Sequence, residues 1–180
     1  MAVKPVVKIG SKVLLTPSEA VTTITPELRQ TLIQDMLDTM KAEDGAGLAA
    51  PQIGVNLRVM IFGVEKNPRY PDAEEVPLTI LINPSFTALS DEKEKAWEGC
   101  LSIPGYRGVV SRYKEIEYRG FDENGQEIVK QVSDFHARVF QHEYDHLDGI
   151  LYLHRIEDMR YFGLIEELQN SGMIPKPEEE

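Results

Sequence analysis

Residues 141–146 read Gln-His-Glu-Tyr-Asp-His, which sets His142 and His146 four apart with Glu143 beside the first. On a helix, side chains four apart stack on one face, so both imidazoles can aim at a single cation. In this H-E-x-x-H arrangement two histidines hold a divalent metal and the glutamate takes a proton from water on it. The plain alternative is a chance match on a solvated helix. A catalytic centre of this type wants three protein ligands and one open position, so a third ligand must come from elsewhere. The chain has one cysteine, Cys100, lying between Gly99 and the turn-forming Pro104-Gly105 at the edge of a strand-like run. A lone cysteine is usually a small buried hydrophobe, but beside an H-E-x-x-H segment its thiolate is the natural third ligand.

A second stretch with chemical potential is Ala46-Gly47-Leu48-Ala49-Ala50-Pro51-Gln52-Ile53-Gly54. Small residues let backbone come close to a ligand or to a packed neighbour. The run lacks the Lys-Ser/Thr ending of a P-loop, and no strand precedes it as a dinucleotide fingerprint requires. Gln52 is its one side chain with both a donor and an acceptor.

Composition narrows the class. A chain of 180 residues with 42% hydrophobic content can bury a sizeable core as one unit over residues 1–170. With 19 basic against 30 acidic residues the formal net charge is −11, which argues against sequence-specific nucleic-acid binding. The opening residues carry lysines and a proline where a secretory signal needs an apolar run, and no stretch approaches the roughly 20 apolar residues of a membrane span. A single cysteine forms no internal disulfide, so a reducing cytoplasm is the expected location.

The elements that must position these residues follow from pattern. Residues 1–24 read as an extended arm. Thr25-Pro26-Glu27 opens a helix carrying a stripe of Leu28, Leu32, Ile33, Met36, Leu37 and Met40 that ends at Asp44-Gly45. Arg58–Val64 and Leu78–Ile82 read as strands around a surface loop at 66–77, with Asn83-Pro84 ending the second. Lys114–Phe121 and Gln126–Val132 form a hairpin whose turn is Asn124-Gly125. Ser133 caps the helix Phe135–Leu147, which carries the histidines and, on the same side, Phe135 and Val139 as pocket walls. Ile150–Leu153 reads as a short strand, a last helix runs from about Glu157 to Leu168, and residues 171–180 as an acidic disordered tail. The expected fold is α+β: mixed or antiparallel strands around a central metal-binding helix, with an N-terminal and a C-terminal helix.

Three blocks in this order, Gly45-Ala46-Gly47-Leu48-Ala49-Ala50-Pro51-Gln52, Glu98-Gly99-Cys100-Leu101-Ser102 and Gln141–His146, resemble the peptide deformylase family. The resemblance implies Cys100, His142 and His146 as metal ligands with water as the fourth, and Glu143 as the acid/base residue. It implies Gln52 and the Leu101 backbone N–H as donors to the oxyanion, and Gly47 as a hydrogen-bond partner of the substrate backbone. The substrate implied is the N-formyl group on the first methionine of nascent polypeptides, met transiently at the ribosome, and the metal ferrous iron, with zinc, nickel or cobalt also bound. Around the methionine side chain it implies Ala46, Phe135, Arg138, Val139 and Tyr106, while Arg107 either reaches a carbonyl or carboxylate further along the peptide or is a surface charge. Ala46 and Arg138 stand where larger aliphatic and apolar residues are common in that family. A monomer is expected.

Other roles stay open at this level. Glu98 and Arg112 either pair near the metal loop or are surface charges, and Asp145 either orients a ligand histidine, caps or faces solvent. One rival is a zinc endopeptidase, whose third ligand is usually His or Glu. Another is a structural metal staple, for which Asp145, Asp148 and His154 are candidate fourth ligands.

Overall fold

The computed structural model describes residues 2–65 and 74–176. Most of the expected loop at 66–77 and the end of the expected tail lie outside them. The described strands form two antiparallel sheets. The first has five strands in the order β1 (Gly47–Ala49), β2 (Val59–Val64), β3 (Val76–Ala88), β6 (Glu115–Phe121) and β7 (Glu127–Ser133). The second has three, β4 (Lys93–Cys100), β5 (Ile103–Tyr113) and β8 (Phe162–Leu164), in that order. The long helix α2 (Asp134–Leu147) packs on one face of the larger sheet, and α1 (Gln34–Ala42) on the other.

Strand β2 shows why. Successive side chains point to opposite faces. Met60, Phe62 and Val64 enter the core beneath α2 with Leu81, Ile116, Tyr118, Ala137 and Phe140, whereas Val59 and Ile61 join Ile33, Met36 and Met40 of the α1 side. A strand buried on both faces reads as a continuous apolar run, and Val59–Val64 does. Phe62, Tyr118 and Phe140 seat α2 through ring contacts, Tyr118 and Phe140 stacking at 4.6 Å.

The N-terminal helix opens as expected, with Thr25 Oγ1 accepting from the Leu28 N–H at 3.1 Å, and its whole apolar stripe packs on the sheet. Its first part, Leu28–Ile33, is wound as a π-helix before α1 begins. At the hairpin, Gly125 takes the left-handed conformation (φ 77°) and the Asp122 carboxylate accepts from the N–H groups of Asn124 and Gln126, so Asp122 shares in making the turn. Ser133 holds the N-cap position of α2 without its side chain making a cap.

Three further expectations about local structure are corrected. Strand β3 continues past Asn83-Pro84, because Asn83 takes a positive φ (50°) and the register slips between Ile82 and Ser85 instead of stopping. Residues Tyr152–Arg155 form a 3-10 turn, not a strand. The last helix does not begin near Glu157: Met159–Tyr161 is a 3-10 turn, Phe162–Leu164 pairs with Tyr106–Gly108 as β8, and only Ile165–Asn170 is helical, as α3. A free sheet edge on β5 outcompeted a weak amphipathic pattern there.

Candidate metal centre

Helix α2 turns His142, Glu143 and His146 toward the end of β4, where Cys100 closes the strand before the turn into β5. The Cys100 Sγ lies 3.4 Å from His146 Nε2, and ligand atoms of Cys100, His142 and His146 all fall within 4.8 Å of one another. A tetrahedral cation with metal–sulfur and metal–nitrogen bonds of about 2.3 and 2.05 Å would set sulfur and nitrogen about 3.5 Å apart. The donor set therefore fits a divalent metal of borderline softness. Among the described residues no other His, Cys, Asp or Glu joins the cluster. The candidate fourth ligands are engaged elsewhere: Asp148 on Arg58, His154 Nδ1 accepting from the Leu151 N–H, and Asp145 between Arg112 and Arg155.

Charge is distributed to favour that set. Burial would push the Cys100 thiol up, but the His146 and His142 rings hold it well below the usual thiol range. The His142 ring is oriented from behind, its Nδ1 lying 2.9 Å from Glu98 Oε1. Since a carboxylate only accepts, Nδ1 carries the proton and Nε2 is free to ligate. Glu98 is nearly fully buried and receives Arg112 through Nε (3.0 Å) and Nη2 (2.9 Å), and Arg138 through Nη1 (2.6 Å). Burial opposes its charge, yet the Arg112 guanidinium and the His142 contact hold its carboxyl far below the carboxylate range. Asp145, also buried, accepts from Arg112 Nη1 and from both Nε and Nη2 of Arg155.

Thus Glu98 and Arg112 are a buried pair, not surface charges, and among the described residues the Asp145 carboxylate is bonded to Arg112 and Arg155, not to a ligand histidine. The histidine partner is Glu98, two residues before the cysteine. A carboxylate so close in sequence to a candidate ligand was the one available signal, and Arg155 offered none.

Glu143 is buried beside the cluster, with Oε2 lacking a hydrogen-bond partner among the described residues. Burial raises its carboxyl to about 7, against the lowering influence of the two histidines. Gly47 explains itself here: a Cβ at that position would stand 2.5 Å from Glu143 Oε1. Gln52 sits in a 3-10 turn, Ala50–Ile53, that Gly54 ends at φ 82°. Its Oε1 accepts from the Ala49 N–H at 2.9 Å, so the amide orientation is assigned, and Nε2 faces Ser102 Oγ (3.2 Å) and Cys100 Sγ (3.5 Å). The N-terminal arm, which showed no chemistry in sequence, straps these pieces: the Val7 N–H donates to the Gln52 carbonyl and the Ile9 N–H to that of Ser102.

A cleft with about 510 Å³ of empty space, part of it open to solvent, leads from the cluster. Among the residues expected around a substrate, Ala46, Gly47, Phe135, Arg138 and Val139 line it, as do Gln52 and Leu101, with Trp97 as an unforeseen wall. Tyr106 is not in that lining; it stacks on Phe162 at 5.3 Å because β8 pairs beside it. Arg107 does not line the cleft either, but its guanidinium lies against Gly99, where a side chain would collide with it.

The polypeptide deformylase family model matches residues 3–161. Peptide deformylase 1 of Nitrosomonas europaea is 59% identical over 167 residues, covering 92% of this chain and 94% of that protein. Among solved structures, the Met-Ala-Ser-bound class I type b peptide deformylase of Acinetobacter baumannii superposes with a TM-score of 0.82 at 37% identity, covering 86% of this chain and 99% of that one. The peptide deformylase of Synechococcus elongatus, in complex with actinonin, gives 0.78 at 38%, covering 95% and 88%. Likeness of this extent takes in the glycine-rich loop, the cysteine strand and the two-histidine helix together, and the chain belongs to the peptide deformylase family, enzymes that remove the formyl group from N-terminal methionine.

Proposed function

We propose that this chain, acting through residues 1–170 as one catalytic unit, hydrolyses the formamide on the first methionine of nascent polypeptides to formate and a free α-amine. Cys100, His142 and His146 hold a divalent cation, ferrous iron in the cell, with zinc, nickel or cobalt as substitutes. When bound, such an ion supplies a Lewis acid and brings the pKa of water from 15.7 toward about 7. Glu143, buried beside the ligands, takes the proton of the attacking water and returns it to the leaving amine. Gln52, locked at Oε1 by the Ala49 N–H, turns Nε2 toward the cluster, where it and the Leu101 N–H meet the oxygen of the formyl group as it gains charge. Gly47 meets the substrate backbone, leaving Glu143 its room. Ala46, Phe135, Val139 and Arg138 receive the methionine side chain, whose unbranched thioether adapts to an irregular cleft. Arg107 serves residues further along the peptide.

The observation that carries the reading is the approach of a sulfur from β4 to the His146 ring at 3.4 Å beside a buried carboxylate. An endopeptidase has less support, since its third ligand is usually His or Glu. A structural staple would need a fourth ligand, and the candidates for it are engaged by arginines or by backbone. The enzyme works as a monomer in the cytoplasm and meets the ribosome transiently. Its net charge of −11 disfavours lasting contact with RNA, and no helix among the described residues is long and apolar enough to cross a membrane.

The test uses protein loaded with ferrous iron without oxygen and assayed for formate on formyl-Met-Ala-Ser and for acetate on its acetylated counterpart. Turnover of the formyl peptide alone, with Glu143→Gln retaining metal but losing at least about 100-fold in kcat, is expected. Equal rates on both peptides, or full activity of Glu143→Gln, would sink it.

A further inference from the structure

Away from the metal ligands, Gln52 and the two glutamates, Arg138 is the one basic side chain among the described residues lining the cleft, beside Ala46, Trp97, Phe135 and Val139. Its side chain is nine-tenths buried and its guanidinium reaches from the helix to β4 and β5. There Nη1 donates to Glu98 Oε2 (2.6 Å) and to the Val110 carbonyl (3.0 Å), and Nη2 to the Glu94 carbonyl (2.6 Å). One residue thus ties α2, which carries both histidines, to β4, which carries Cys100, and to β5. It sits one helical turn before His142, on the side of the metal cluster toward the N-terminus of α2.

We propose that Arg138 is a specificity-determining residue that fixes the depth of the cleft, limiting the first side chain of the substrate to about the length of methionine; this rests on the deformylase reading above. The physical argument is rigidity. An aliphatic wall yields by changing rotamer, whereas a guanidinium held by one carboxylate and two carbonyls yields only by breaking charge-assisted bonds in a buried site. A side chain longer than methionine must press methylenes against the Arg138–Glu98 pair or pull it apart. Discrimination by one methylene in a snug pocket is typically about 10- to 200-fold.

The experiment compares kcat/KM of the iron-loaded enzyme on formyl-Met-Ala-Ser, formyl-norleucyl-Ala-Ser and formyl-2-aminooctanoyl-Ala-Ser, the last two methylenes longer than the second. The same comparison is made for Arg138→Ala, and for Arg138→Met, which keeps an apolar stem and protects against failure to fold. Calorimetric binding of the deformylated Met-Ala-Ser and 2-aminooctanoyl-Ala-Ser peptides reads the preference without turnover. Wild type should penalise the longest substrate by at least roughly 10-fold, with a parallel loss in product binding, and both variants should narrow that ratio toward unity. A wild-type enzyme that accepts the long side chain as readily as methionine overturns the proposal. So do variants that lose activity on all three substrates in proportion, since that is what a purely structural tie would give. Either result leaves turnover of formyl-Met-Ala-Ser standing; absence of that turnover in wild type overturns the underlying reading as well. Should neither variant fold, Arg138→Lys, which keeps a cation beside Glu98 but gives up the second guanidinium nitrogen, takes their place and should narrow the ratio; an unchanged ratio overturns the proposal.

Discussion

Replacing Glu98 by glutamine removes one negative charge and changes the volume hardly at all, yet it should damage both fold and metal site. The carboxylate is 4% exposed and accepts from Arg112 twice, from Arg138 and from His142. An amide offers one accepting oxygen. If that oxygen stays on His142, the NH2 faces two guanidiniums; if it turns to them, the His142 N–H loses its acceptor. With Glu98 neutral, Asp145 alone balances the buried Arg112, with Arg155 also drawing on it, and Arg138 keeps only the Val110 and Glu94 carbonyls. Breaking a buried pair from one side costs about 3–5 kcal/mol. At about 2–4 °C per kcal/mol for a chain of this size, the melting temperature should fall by roughly 6–20 °C. Metal affinity should fall by about 10- to 100-fold, as for other carboxylates that orient a ligand histidine. The assay is calorimetric unfolding of metal-stripped protein, which isolates the fold, together with zinc competition against a chromophoric chelator. A melting temperature within about 3 °C of wild type and an affinity within threefold would refute the assignment of Glu98 as the charge that holds this site together.

Two further outcomes follow from local geometry. Gly47→Ala puts a methyl 2.5 Å from Glu143 Oε1, so the carboxylate must shift in a buried site; kcat on a formyl peptide should drop about 100-fold while the unfolding midpoint moves little. His136 is held neutral chiefly by burial, its pKa lowered to about 4, so the unfolded chain binds a proton there first as pH falls from about 6.5. Its contribution is therefore present above about pH 6.5 and is lost as pH falls toward 4. Denaturant titrations across that window should show a flatter slope for His136→Gln, which can keep a contact with Tyr118; an unchanged slope would exclude the residue as a source.

How much of this was legible before the fold depended on how far apart in sequence the cooperating atoms lie. His142, Glu143 and His146 are set by helical periodicity alone, and the apolar stripe on the first helix and the run Val59–Val64 report their own burial. The end of β3 and the start of the last helix were misread because both depend on pairing with distant strands, which local propensity does not encode. Glu98 illustrates the boundary: its place two residues before Cys100 was visible, but its service to His142 is a contact across 44 positions.

Residue types in the sequence determined the available chemistry, because only a few side chains bind a divalent cation and only one cysteine is present. Tertiary structure decided which charges are buried together, that Tyr106 turns to Phe162, and that Arg138 reaches Glu98 on β4 instead of facing water. The reason is that burial and partner choice depend on long-range packing, and for a charged side chain burial separates a marginal surface contact from an interaction of several kcal/mol.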